Sequence, residues 1–214
     1  MKLRLFHYWR SSASWRVRWA LAIKQVRCEF TPVSLLTDET EQPDHLHRNP
    51  MGYVPVLEVT LPGSPAWFLG ESTAILEWIE EVFPSPSLLP GNAFQRAKIR
   101  QLSQIINAGT QPLHNPNVTT LHSSDPAQQK LWNQTWIKKG LAAFEVVARD
   151  IPGVFSAGDS LTHADLCLIP QCYSALRNEI ALSDFPRIEQ IYTEAAKLES
   201  FQQSAPERFQ PESS

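Results

Sequence analysis

Leu3-Arg4-Leu5-Phe6-His7-Tyr8, then Ser12 to Gln25, then Glu29-Phe30-Thr31-Pro32-Val33 is the stretch that decides the fold. The first segment alternates apolar and polar residues enough to be a strand. The second places Val17, Ala20, Leu21 and Lys24 at helical spacing, with serine at its start as a cap. The third reads as a second short strand. A strand, a helix and a strand in that order imply a parallel pair joined by a right-handed crossover. A polar loop follows, and then Pro55-Val56-Leu57-Glu58-Val59 and Ala66-Trp67-Phe68-Leu69 read as strands of a hairpin around Pro62-Gly63. A helix is predicted from Ser72 to Val82. The order βαβ-ββα makes a small mixed sheet with helices.

Pro84-Ser85-Pro86-Ser87-Leu88-Leu89-Pro90 interrupts this pattern, because proline removes a backbone donor and fixes φ. Residues 84–91 therefore read as a linker, with one domain over residues 1–83. Beyond the linker no strand pattern is evident. Helical periodicity runs from Phe94 to Ile106, Leu131 to Val147, Leu166 to Leu176 and Ile188 to Leu198, so residues 92–214 read as an all-helical domain. The tail from Gln202 is polar and punctuated by proline, and is expected to be loosely ordered.

Composition narrows the function classes. The 214 residues are 43% hydrophobic and 19% charged, enough apolar mass for a core but with no run near the ~20 residues of a bilayer-spanning helix. The N-terminus lacks the apolar block of a signal peptide. A net charge of −3 argues against nucleic-acid binding by bulk electrostatics. Cys28, Cys167 and Cys172 are odd in number and form no C-x-x-C pair, which speaks against a disulfide framework or a cysteine zinc site and fits a reducing cytoplasm. His45 and His47 alternate in the polar loop with no third ligand at metal spacing, so no metal site is expected.

Three short motifs could carry chemistry. Ser11-Ser12-Ala13-Ser14 puts hydroxyls at the start of the first helix, where a thiolate would be stabilised by the helix dipole. Position 13 is Ala, so any thiolate must come with a ligand, and no G-x-S-x-G elbow is present. Glu71-Ser72 opens the third apolar-periodic stretch. Helix amides there favour a carboxylate and Glu71 could pair with an amine, although a plain cap with an acidic neighbour is the commoner arrangement. Val54-Pro55 stands before a strand, and by itself reads as an ordinary trans bond. Thr162-His163-Ala164-Asp165, with Leu161 and Leu166 as a hydrophobic staple, is a capping box that starts a buried helix, leaving His163 without chemistry.

In this order the pieces resemble the glutathione transferase superfamily, and specifically its zeta class, which includes maleylacetoacetate isomerase. The family signature looks like Ser-Ser-Cys-x-Trp-Arg-Val-Arg-x-Ala-Leu, against Ser11-Ser12-Ala13-Ser14-Trp15-Arg16-Val17-Arg18-Trp19-Ala20-Leu21 here. Asn49-Pro50-Met51 before Val54-Pro55-Val56-Leu57, Gln111-Pro112-Leu113-His114-Asn115, and Asp165-Leu166-Cys167-Leu168-Ile169-Pro170-Gln171 extend the match over almost the whole chain.

The resemblance implies a thioredoxin-like N-terminal domain followed by an all-helical one, with glutathione as cofactor. It also implies site roles. Ser11, with Ser12 beside it, favours the glutathione thiolate. The backbone at Val54, with Pro55 as a cis-proline, meets the cysteinyl part. Ser72 and the adjacent amides take the γ-glutamyl carboxylate and Glu71 its amine, with Gln111 as a further contact. Arg10 and Arg177 receive substrate carboxylates, for which the planar guanidinium fork is suited. The implied reaction is glutathione-dependent cis–trans isomerisation of a maleyl-type diketo acid, as in tyrosine and phenylalanine catabolism, by a cytoplasmic homodimer. Conjugation or dehalogenation of small α-halo acids is the alternative within the same site, and a non-catalytic binding module the alternative outside it. Two departures stand out: Ala13 replaces the usual Cys, and Glu71 stands where many members have Gln.

Overall fold

The computed structural model describes residues 1–211. Contacts divide the chain into two compact units, one of Met1–Pro86 together with the stretch from Glu199, the other of Ser87–Leu198. The first unit contains β1 (Lys2–His7), α1 (Ser12–Ile23), β2 (Glu29–Pro32), α2 (Pro43–Arg48), β3 (Val56–Thr60), β4 (Trp67–Leu69) and α3 (Ser72–Val82). The four strands form one sheet in the order β2-β1-β3-β4. β1 is parallel to β2, with Leu5 opposite Phe30, and antiparallel to β3, with Leu5 opposite Leu57. β4 is antiparallel to β3, with Leu57 opposite Leu69. The small mixed sheet expected from the element order is what forms, with the thioredoxin-like arrangement that the family resemblance implied.

α1 forms where the helical spacing of Val17, Ala20, Leu21 and Lys24 predicts, and its burial extends beyond those positions. Every residue from Ser14 to Leu21 is buried, including Arg16 and Arg18. The reason lies in the C-terminal tail, which is not loose over its described part. Glu199–Ser204 forms a helix and Pro206–Phe209 a 3-10 turn, and the helix packs on α1. Trp15 Nε1 donates to Ser204 Oγ at 3.1 Å and Trp19 Nε1 to Ser200 Oγ at 3.1 Å. Phe201 meets both indoles edge-on. Arg18 Nε donates to the Ser204 carbonyl at 3.1 Å, and its guanidinium lies 4.6 Å from the Phe209 ring centroid. The expected domain of residues 92–214 is corrected accordingly: the chain from Glu199 contacts the first unit. The expectation for residues 212–214 lies outside the described residues.

The polar loop is also more ordered than expected. His45 and His47 lie on α2, where Pro43 sits in the first turn. His45 is 2% exposed, and its Nε2 lies 3.1 Å from the Tyr53 carbonyl. A carbonyl only accepts, so Nε2 carries the proton in that bond. At the exit from α3 the Lys24 ammonium ties the start of the linker down. It donates to Glu80 at 2.7 Å, to the Phe83 carbonyl at 2.5 Å and to the Pro86 carbonyl at 2.8 Å.

The second unit contains α4 (Ala93–Asn107), α5 (Pro116–His122), α6 (Pro126–Ala148), α7 (His163–Arg177) and α8 (Pro186–Ala195), and among its described residues there is no strand beyond one isolated bridge. α7 is buried on all sides from His163 to Cys172, packing against α4, α6 and α8. It starts with the expected capping box: Asp165 Oδ2 accepts from Thr162 N and Thr162 Oγ1, each at 2.8 Å, while Oδ1 accepts from Ser156 N at 2.8 Å. Burial pushes the Asp165 pKa up and these bonds oppose that shift. α6 starts five residues before the predicted Leu131, because Asp125 caps it and Pro126 occupies its first turn. α5 was not expected at all. After α9, the label for Glu199–Ser204, no further α-helix occurs among the described residues.

Candidate active site

The register of the sheet gathers three segments of the first unit. Leu5, Leu57 and Leu69 form one row across β1, β3 and β4. β1 and β4 run outward from that row in the same direction, and β3 runs inward. Tyr8 to Ser12 after β1, Val54-Pro55 before β3, and Glu71-Ser72 after β4 therefore leave the sheet at one end, across about 10 Å of sheet width at the usual strand spacing. The positive ends of α1 and α3 open at that end, and neither helix has an acidic residue in its first turn.

Ser11 is the N-cap of α1, with extended backbone, and its Oγ accepts from the Ser14 N–H at 3.2 Å. Among the described residues that hydroxyl donates to no acceptor, so its proton is available to an incoming group. Ser12 is the first helical residue and, like Ser11, half-buried. Ala13 follows it. Arg10 stacks its guanidinium 4.9 Å from the Trp9 ring centroid and, among the described residues, faces no carboxylate.

The Val54-Pro55 bond is cis, contrary to what the residues alone suggested and as the family resemblance implied. Val54 is 8% exposed and packs with Phe6, Val33 and Val56, against which Tyr8 and Phe68 also lie. The turn before it is clamped. Asn49 Nδ2 donates to the Tyr53 carbonyl at 3.0 Å, and Asn49 Oδ1 accepts from Met51 N at 3.2 Å.

Glu71 is the N-cap of α3 with φ 60° and ψ 106°, a left-handed conformation unusual for a residue with a side chain. Its carboxylate is exposed, and it makes no capping bond. Ser72 is 5% exposed, and its Oγ accepts from Arg16 Nη1 at 3.0 Å. Sequence reasoning missed Arg16. The available signal was its place in a helix otherwise filled with Trp15, Val17, Trp19 and Leu21, but arginine in such a helix is ordinarily assigned to the solvent side.

A second buried arginine stands behind the Ser11 loop. Arg18 donates from Nη1 to the Tyr8 carbonyl at 3.3 Å and from Nη2 to the Trp9 carbonyl at 2.9 Å. Its Nη1 also lies 3.1 Å from His7 Nδ1. Arginine only donates, so His7 Nδ1 accepts and the ring is neutral. Burial first, and the Arg18 cation second, pull the His7 pKa down to about 3. Burial likewise lowers Arg18 to about 9, against a smaller opposing effect of Glu207. Burial pushes the Cys28 thiol up to about 12, which disfavours a thiolate there. Cys167 and Cys172 are buried in α7.

The two remaining expected site residues lie in the second unit. Gln111 opens a 3-10 turn, Gln111–His114, and its Nε2 donates to Asn115 Oδ1 at 2.7 Å. Arg177, in the last turn of α7, lies 6.0 Å from the Tyr173 ring centroid.

The arrangement in the first unit suits an extended thiol-bearing peptide: uncommitted hydroxyls at two helix starts, an exposed carboxylate beside one of them and a rigid turn between. The comparisons agree. Residues 1–81 match the glutathione S-transferase N-terminal domain. The chain is 36% identical over 211 residues to maleylacetoacetate isomerase of Dictyostelium discoideum, covering 96% of this chain and 94% of that one. It is similar to the crystal structure of maleylacetoacetate isomerase from Anaeromyxobacter dehalogenans with glutathione bound in its active site, at 43% identity and a TM-score of 0.90, over 100% of this chain and 98% of that chain. It is also similar to a bacterial maleylpyruvate isomerase described as a zeta-class glutathione transferase, at 33% identity and a TM-score of 0.89, over 99% and 100% of the two chains. On this combined ground the chain belongs to the zeta-class glutathione transferases, the family of the maleylacetoacetate isomerases.

Proposed function

We propose that this protein catalyses glutathione-dependent cis–trans isomerisation of a maleyl-type diketo acid, maleylacetoacetate to fumarylacetoacetate in the commonest version. The observation that carries this reading is the Ser11 hydroxyl: it accepts the Ser14 amide and keeps its own proton for a ligand at the positive end of α1. Glutathione, when bound, supplies a nucleophilic thiol whose reversible addition to the cis double bond lets that bond rotate. The bond from Ser14 N occupies one lone pair of Ser11 Oγ and turns the O–H outward, where it donates to sulfur and favours the thiolate, with Ser12 beside it. The backbone at Val54, ahead of Pro55, takes the cysteinyl part. Ser72 and the first amides of α3 take the γ-glutamyl carboxylate, Glu71 its ammonium, and Gln111 adds a further contact. Arg10 and Arg177 hold the substrate carboxylates, and their cations stabilise negative charge developing on the keto oxygen. Trp9 keeps the Arg10 fork in place by stacking.

Among the described residues no helix is long and apolar enough to cross a membrane. A cytoplasmic homodimer, acting in tyrosine and phenylalanine catabolism, completes the reading. Exposed Met51 and Tyr53, on the clamped turn before Val54, support a self-association surface.

Ala13 favours a second reading, in which loss of the family's cysteine turns the same site towards conjugation or dehalogenation of small α-halo acids. Maleylacetone, maleylpyruvate and dichloroacetate, assayed side by side with limiting glutathione, separate the two. Isomerisation of at least one maleyl substrate, in molar excess over glutathione that is recovered intact, is expected. Inactivity on both with steady dechlorination would sink the isomerase reading.

A further inference from the structure

We propose that Arg16 is a positioning residue for the γ-glutamyl carboxylate of glutathione, acting through the hydroxyl of Ser72. The inference rests on the reading of Ser72 given above and adds to it the group that sets its proton. Arg16 is fully buried in α1 and reaches across to the N-terminal turn of α3, where Nη1 donates to Ser72 Oγ at 3.0 Å. A serine hydroxyl has one proton and two lone pairs, and a guanidinium has no lone pair to offer. The Ser72 proton therefore cannot point at Arg16. Among the described residues it reaches no other acceptor either, although the side chain is 95% withdrawn from solvent, its exposure being 5%. A buried hydroxyl with its lone pair engaged and its proton uncommitted is set to donate in one direction.

That direction is the end of the sheet where α3 begins. Ser72 is the first residue of this 11-residue helix, and the unpaired amides of its first turn face the same way. Glu71, held at φ 60°, turns its carboxylate to the solvent instead of capping those amides. The first turn of α3 is thus left with donors only, which suits a carboxylate. A charged donor on Ser72 Oγ also polarises its O–H bond and strengthens the donation. Arg16 never touches the ligand. It fixes which way the contacting hydroxyl points and how strongly it donates.

The test compares two thiols that differ only at this end: glutathione, and the dipeptide cysteinylglycine, which lacks the γ-glutamyl group. Calorimetric titration gives the dissociation constant of each for the unaltered protein, Arg16→Met, Ser72→Ala and the double variant. Arg16→Met is expected to weaken glutathione roughly tenfold, the usual size for a lost charge-assisted bond. It is expected to leave cysteinylglycine within about twofold, since only the γ-glutamyl contact changes. Added to Ser72→Ala it should change nothing further. Arg16→Lys keeps the buried cation but loses the fixed fork, and should lose glutathione selectivity in part, which covers the case in which Arg16→Met does not fold. Equal weakening of both thiols, unaltered selectivity in the Arg16 variants, or full additivity with Ser72→Ala would overturn the inference. Equal affinity of the unaltered protein for the two thiols would instead overturn the assignment of Ser72, and the inference with it.

Discussion

Ser204→Ala is a sharp test of the finding that the C-terminal segment packs into the first unit. Ser204 is 1% exposed and so is Trp15, whose indole N–H it accepts at 3.1 Å. The serine hydroxyl in turn donates to the Ser200 carbonyl at 2.8 Å. Alanine keeps the helix and removes one oxygen, so the cavity cost is small. The main cost is a buried indole N–H deprived of this acceptor, about 1–3 kcal/mol. Taking about 2 kcal/mol, the melting temperature should fall by roughly 4–8 °C in a chain of this size. Urea unfolding followed by far-ultraviolet circular dichroism measures the same loss directly. Trp15→Phe keeps the aromatic contact with Phe201 but has no donor, so in that background Ser204→Ala should cost less than about 0.5 kcal/mol. A loosely ordered tail would make Ser204→Ala neutral in both backgrounds, and that result would refute the packing argument.

Acid stability should report His7. Its folded pKa of about 3 lies below the usual 6.5, so between those values the unfolded chain binds more protons. Stability is then complete above pH 6.5 and falls as the pH drops towards 3. From pH 6.5 to 5 the loss from this group is up to about 2 kcal/mol. His7→Gln, whose amide oxygen can still accept from Arg18, should flatten that slope in urea titrations at the two pH values, and an unchanged slope would contradict it. Gly140 on α6 faces Thr110 so closely that an added methyl would collide with the threonine Oγ1 and Cγ2. Gly140→Ala should therefore cost roughly 1–3 kcal/mol, read as a lowered thermal midpoint. A variant as stable as the parent would show that this packing is not tight.

The elements legible in the sequence are those where periodicity and end signals agree. Ser72–Val82 falls where predicted, because its apolar stripe runs from Ile75 to Ile79 and stops before Pro84. The α7 start is legible because Thr162 and Asp165 carry the reciprocal capping pattern. α2 and the tail were missed for opposite reasons. Pro43-Asp44-His45-Leu46-His47-Arg48 has too few apolar residues to show a period, and its one buried histidine is held by a backbone carbonyl. Residues 199–209 look polar, yet their serines and Phe201 serve two buried indoles almost two hundred residues earlier in the chain. The need of Trp15 and Trp19 for acceptors was visible in the sequence, but not where those acceptors lay. The candidate site follows the same division. Ser11 and Ser72 stood out as hydroxyls at helix starts. Arg16 and Arg18 did not, because burying an arginine is expensive unless partners are present, and those partners come from distant parts of the chain.

In the proposed reaction the Ser11 hydroxyl activates a borrowed thiol for isomerisation. The most direct measurement is the rate of maleylacetone isomerisation by Ser11→Ala and by the unaltered protein, both at saturating glutathione. Loss of a hydrogen bond to a charged sulfur predicts a fall of roughly ten- to a hundredfold in kcat. The pKa of the bound thiol, followed by thiolate absorbance in the ultraviolet, should rise in parallel. An isomerisation rate untouched by the substitution would contradict the account.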